Sequence, residues 1–440
     1  MLKNLIFLVS IGLFIRCDSE KNDNDAVPVE GKTIIPDLLF ERELIRLGLD
    51  DTYDQYVLTA NITGVKELNL NRLRIKDLTG IQDFKSLKSL DCMENGLTSL
   101  DLSQNTSLEY VNCSENELET IQFSDPSSLN VLRCRENKLL SLDVSSMENL
   151  IVIDCSENFI NGLSLTKLKN LYSLDCNDNL IQTLDVTSNK LLAGISCGGN
   201  KITEIKLEGL DSLEILDVRS NKIELLKINH LKKLRTLNCS GNQIETLDVT
   251  DNLELKSISC RFNDISSLDI SNNIKLEELD CEFNEIQQLN TSKQGSLTTL
   301  SCGGNNLSQL DLSNNPDIRN LRCFENDLQE IDVSSNLDLI YLFCSNNPLE
   351  EIDISNNINM RSLFCQFNEL TQIDMSKNLE LEYISFSNNA LTELDLSQHT
   401  RLYNVDVTDN QLTCIKVNQD QLNATYIKKD STAILSLDCN

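Results

Sequence analysis

Cysteine is the first group in this chain whose chemistry needs an account: there are 16, against two histidines and no tryptophan in 440 residues. Thirteen of them, from Cys92 to Cys365, recur at intervals of 21 residues or a multiple of 21. Regularly spaced thiols suggest disulfides or zinc ligation. Zinc is the weaker idea, because no CxxC pairing exists and His230 and His399 lie far apart. General acid/base chemistry is equally short of groups. Beside two of these thiols stands an unusual neighbour: "LFCSNN" at 342–347 and "LFCQFN" at 363–368 place Phe343 and Phe364 where other copies carry Asp, Asn, Ser or Arg.

The elements that position these residues follow from the spacing. From Leu87 the chain divides into sixteen consecutive 21-residue units, preceded by a 22-residue unit at Val65. The ninth position is Asn in all sixteen, from Asn95 to Asn410, and positions one, four, eleven and fourteen are apolar throughout. Positions three to seven alternate with period two (Ser89, Leu90, Asp91, Cys92, Met93), which predicts one short strand per unit with Leu and Cys facing inward. A single strand cannot bury that face, so neighbouring units must stack into a continuous parallel sheet. At ~4.8 Å per strand the stack would run roughly 75 Å. The amide of the ninth-position Asn can serve buried turn backbones with both donors and acceptor. Segments such as "LDLSQN" (Leu100 to Asn105) then cross the back in turns rather than in long helix.

That geometry decides what the thiols do. In-register strands hold equivalent Cβ atoms nearly a strand spacing apart, beyond the ~3.8 Å a disulfide prefers. Val218, Phe386 and Val407 fill the same slot in the remaining three units, so apolar volume is what the position requires. Cys414 and Cys439 fall outside the register, at either end of a segment that breaks the repeat. A bond between them would close the open end of the solenoid and contribute ~3 to 4 kcal/mol in the chain-entropy model.

The pattern LxxLxCxxNxLxxLDLSxNxx resembles the leucine-rich repeat, and the Cys on the strand resembles the cysteine-ladder repeats of the internalin J type. Implied is a leucine-rich repeat solenoid of the α/β horseshoe class, with its parallel sheet on the concave face and short irregular segments on the convex one. The expected layout is a signal peptide (1–16), an acylated tether (17–33), an N-terminal helical cap (34–64), repeats (65–412) and a disulfide-closed C-terminal cap (413–440). "LIFLVSIGLFI" before Cys17 resembles a bacterial lipoprotein signal, and the acidic stretch after it the export tether of Bacteroidota lipoproteins. Arg16 stands where that signal carries a small residue, so plain signal cleavage with secretion is the alternative to acylation at Cys17. In the cap, "PDLLFERELIRLG" sets Phe40, Leu44 and Leu47 on one helical face. Asp50, Asp51 and Asp54 follow it without the spacing of a calcium loop, and no metal or other cofactor is expected.

Function is then sought on the strand side chains that point away from the core. A formal net charge of -30 repels phosphate backbones and lipid headgroups, which argues against nucleic acid and leaves membrane contact to the lipid anchor. In the early units Asp91, Asp154 and Asp175, with Glu94, Glu115, Glu136, Glu157 and Asp178 at position eight, form an acidic flank. Later units carry Arg322, Phe324, Tyr341, Phe343, Phe364 and Tyr383 at outward positions, and this is the candidate binding set. Phe262, Phe283 and Phe367 at position eight are expected to fold back over neighbouring turns. No nucleophile, base and orienting group can be assembled, so an enzyme is not expected. The resemblance implies a monomeric bacterial surface protein, held to the outer membrane through Cys17, that grips a protein partner in adhesion or host contact. A glycan-binding lipoprotein for polysaccharide capture is the alternative.

Overall fold

The computed structural model describes residues 29–124 and 128–439. Cys17 and the expected signal and tether lie outside them, apart from residues 29–33. Within the described residues the chain is a parallel solenoid whose main sheet contains eighteen strands, most of them three residues long. The sheet runs from Glu67–Asn69 to Ile427–Lys428, and each strand pairs with the equivalent residues one repeat later, as Leu342 with Leu363 and Phe343 with Phe364. Strands this short are stabilised by the stack, not singly.

All thirteen ladder thiols are reduced and fully buried behind the sheet. Burial pushes the eleven from Cys92 to Cys323 far up; Cys239 and Cys302 reach about 12. At neutral pH they are thiols and act as small apolar side chains. Cys344 and Cys365 place their Sγ atoms 3.0 Å apart without a bond between them.

Two amide ladders hold the coils together. In the first, the Asn158 Nδ2 donates to the carbonyls of Cys134, Cys155 and Ser156 at 3.0, 3.2 and 3.0 Å, while its Oδ1 accepts from Leu139 N at 3.0 Å. One side chain thus ties its own turn to the preceding one, and the pattern repeats at Asn284 and Asn368. The second ladder lies on the back, where Asn252 Nδ2 donates to Ile228 O and Leu231 O, and Asn273, Asn336, Asn357 and Asn378 follow suit. Gln294 and His399 take the same slot. The back itself consists of successive turns with occasional short strands, such as Ser99–Asp101 beside Thr120–Gln122.

Both ends are closed. Helix Leu38–Arg46 begins at Asp37, whose carboxylate accepts from Leu39 N and Phe40 N. Phe40 and Leu44 are buried, but Leu47 is not: the helix stops at Arg46 and Leu47 caps it in the open. Glu41 is buried instead, because its Oε1 accepts from the backbone of Asp54 and Gln55. At the other end strands Cys414–Lys416 and Ile434–Ser436 pair, and the Cys414–Cys439 disulfide ties the first to the residues that follow the second. Ile427–Lys428 then covers the last edge of the main sheet. Among the described residues no helix is long and apolar enough to cross a membrane.

Candidate binding face

Pleating sends position four and the thiol at position six into the core, and positions three, five and seven out of the sheet. Position eight adds a constraint. In every unit from Glu94 to Asp409 it is left-handed, with non-glycine φ between 52° and 58°. Asn, Asp and Gly accept that conformation readily; a bulky aromatic does not.

Four of the six expected residues come together. The Phe343 and Phe364 rings stack with centroids 4.7 Å apart and planes 5° apart. Across the strand register, Arg322 covers the other side of Phe343, its guanidinium carbon 4.9 Å from the ring centre and 5.2 Å from that of Phe324. Tyr341 is exposed and flanks buried Ser362, with Tyr383 on the far side of that serine. Tyr383 pairs not with Tyr341 but with Tyr403, ring edge to ring face at 4.4 Å, and the two hydroxyls hydrogen-bond.

Several members of the assembly escaped the sequence reading. Phe262 and Phe283 stack at 4.6 Å, and Phe283 meets Phe324 at 5.8 Å. Two glycines make room for these rings: a Cβ on Gly303 would fall 2.6 Å from Phe324 Cε1, and one on Gly304 2.5 Å from Phe283 Cδ1. The space that these two glycines leave is filled by aromatic rings. Phe283 does fold over the next turn as expected, whereas Phe262 and Phe367 stay half exposed. Beneath the rings lies Glu282, 1% exposed, whose Oε1 accepts from Arg322 Nε at 2.6 Å, while Arg261 Nη2 sits 3.5 Å from its Oε2. The only sequence signal was an acid between two arginines at outward positions; its burial could not be read.

In the early units the face is different. Arg72 and Arg135 pair with Glu94 and Glu157, so the acidic flank is partly neutralised by exposed ion pairs. Burial first, then the like charges of Asp154 and Asp217, raise the Asp175 carboxyl. Among the described residues no group of three or more His, Cys, Asp or Glu side chains is arranged to hold a metal ion.

A buried thiol ladder, an asparagine ladder and strand-per-turn stacking define a cysteine-ladder leucine-rich repeat protein, internalin-like in architecture. The solved functional domain of internalin J from Listeria monocytogenes, which includes a cysteine ladder, is similar at 28% identity, with a TM-score of 0.63 over 88% of this chain and 76% of that one. A leucine-rich repeat protein of Leptospira interrogans is similar in fold (20% identity, TM-score 0.68, 84% of this chain and 97% of that one). So is a plant peptide hormone receptor solved in complex with RGF2 (18% identity, TM-score 0.62, 86% and 79%). No family model and no curated protein sequence matches the chain.

Proposed function

We propose that this protein is a non-enzymatic surface-displayed binding protein whose strand-lined concave face grips a protein partner, with Arg322, Phe324, Tyr341, Phe343, Phe364 and Tyr383 in the contact. Cys17 supplies the lipid anchor to the bacterial outer membrane in this reading. The observation that carries it is the Arg322–Phe343–Phe364 stack on outward positions of a sheet whose stability is already provided by the core behind it. Large apolar side chains kept on a soluble surface mark interaction sites, and aromatics with Arg dominate binding energies. The fold is one that a peptide hormone receptor uses with a partner bound.

A protein suits the site better than a glycan. Sugars stack on open ring faces, but here Phe343 lies between Arg322 and Phe364, and Phe262 lies between Phe283 and the Arg261 guanidinium. Of these two rings only the edges remain, and these suit apolar side chains.

Crosslinking on intact cells from a photoreactive residue at position 364 identifies the partner. The F343S/F364S variant is then expected to lose at least about thirtyfold in affinity for it, as hot-spot truncations do, with its melting temperature nearly unchanged. Undiminished capture, or capture only of polysaccharide, counts against the reading.

A further inference from the structure

Arg261 and Arg322 stand 61 positions apart in sequence and share one carboxylate. Glu282, at the seventh position of the unit after that of Arg261, is sealed from solvent. Arg322 reaches it across two strands, and the missing side chain of Gly303 in the unit between them leaves room for the Phe324 ring. Each guanidinium lies against a ring: Arg261 on Phe262 at 4.7 Å, and Arg322 between Phe324 and Phe343.

This arrangement is poorly explained as a stability device. A buried ion cluster seldom stabilises a fold more than apolar packing would, and this one is left incomplete. Glu282 Oε2 and Arg261 Nε are buried without a hydrogen-bond partner, and Arg322 uses only its Nε on a side chain of the protein. Asp280 Oδ2 also lies 3.8 Å from Arg261 Nη1, so the cluster holds two positive and two negative charges, and what it offers a ligand is the remaining donors of Arg322 rather than a charge excess. With rings over its flat faces, the Arg322 guanidinium offers its in-plane N–H edge. That edge matches a carboxylate, two donors to two oxygens.

The geometry points to a carboxylate-reading subsite: Arg322, supported by Arg261 and oriented by Glu282, binds an Asp or Glu side chain of an extended partner segment whose apolar neighbours rest on the Phe343–Phe364 and Phe283–Phe324 edges. The subsite rests on the protein-partner reading above and specifies the chemistry of that partner. It also gives the glycine pair a role, since bulk at Gly303 would displace Phe324 and with it the support of Arg322. Glu282 is a positioning residue; it has no route to the ligand except through the two arginines.

The test is to pan the immobilised full chain against a random linear dodecapeptide library. Enriched peptides are expected to carry Asp or Glu within two or three residues of an aromatic or aliphatic side chain. Changing that acid to its amide in a selected synthetic peptide is expected to weaken binding about tenfold or more, the usual scale of a charge-assisted hydrogen bond. R261Q/R322Q should bind the acidic and amide peptides equally. The triple variant R261Q/E282Q/R322Q, which leaves no buried unpaired charge, should behave in the same way, separating loss of recognition from loss of fold. Enriched peptides that ignore the acid yet depend on Phe343 and Phe364 would overturn the subsite and leave the protein-partner reading standing. Peptides whose capture survives both R261Q/R322Q and F343S/F364S would overturn both. Arginine-dependent capture of acidic oligosaccharides, with no peptide enriched, would overturn the assignment of a peptide ligand.

Discussion

The units from Leu87 to Asp178 and those from Leu255 to Phe367 share a backbone down to single hydrogen bonds, yet they present opposite surfaces. At position eight the early units hold only acids, Glu94, Glu115, Glu136, Glu157 and Asp178, whereas three of the six later ones hold Phe262, Phe283 and Phe367, at nearly the same left-handed φ. At position five three of the five early units hold Asp (Asp91, Asp154 and Asp175), whereas the last three later units hold Arg322, Phe343 and Phe364. Positions four, six, nine and eleven hardly change. The scaffold is thus one construction repeated, and the surface is free to differ wherever a side chain leaves the core. A difference confined to such positions is the signature of recognition rather than of folding.

If the scaffold is common to both regions, damaging it must hurt both alike. Asn158 and Asn284 each donate to three carbonyls and accept from one backbone N–H, at 3.0 to 3.2 Å across the two sites. N158A and N284A should each lower stability by about 3 kcal/mol or more, since several buried backbone groups lose a partner at once. Urea unfolding of the two variants checks this. A loss at one site and none at the other would break the equivalence on which the comparison stands.

Legibility follows the same division. The register could be read because Leu, Cys and Asn recur wherever the core and the turn admit few alternatives, and Cys414 and Cys439 stood out by leaving that register. Position eight was within reach too: Gly199, Gly241, Gly304, Asn346 and Asn388 at one repeat position signal a left-handed turn, against which the phenylalanines become anomalies. Leu47 was misplaced because helical periodicity continues past the residue where hydrogen bonding stops. Glu282 was not legible at all. Its position reads as solvent-facing, and its burial goes with two arginines that reach it from other units, a contact that spacing does not reveal.

Acid should separate the two regions. On the back of the later units, Asp311 and Asp332 are held below the usual carboxylate range by the hydroxyl and then the N–H of Ser313 and Ser334. For Asp269, Asp353 and Asp374 the backbone N–H comes first and the Ser hydroxyl second. A lowered folded value contributes stability that is present above the unfolded carboxylate range and is lost as pH falls through the folded one. Earlier in the chain Asp143 and Asp185 do the same, but burial raises Glu41, Asp50 and Asp175, whose cost at neutral pH is relieved as pH falls. Between about pH 5 and pH 3 the later units should therefore lose more protection than the early ones. Hydrogen exchange, corrected for the intrinsic rate at each pH, reads the asymmetry; uniform loss along the solenoid would remove it.

The smallest effect sharpens the comparison most. Phe367 is half exposed at a φ of 56°. For a side chain of that shape the left-handed conformation costs about 1 kcal/mol or more, whereas Asn tolerates it. Asn388 fills the same position one unit later at a φ of 58°. F367N should therefore raise stability by about 1 kcal/mol, the reverse of what truncating a buried aromatic does. E136N, at the same position of an early unit, should gain less, because Glu is the less bulky of the two in that turn. A gain at residue 367 accompanied by weaker partner capture means that stability was given up there for contact, as strained residues at functional sites do. A loss of stability in F367N means instead that the ring packs usefully against the solenoid, and the later units would then differ from the early ones in folding as well as in surface.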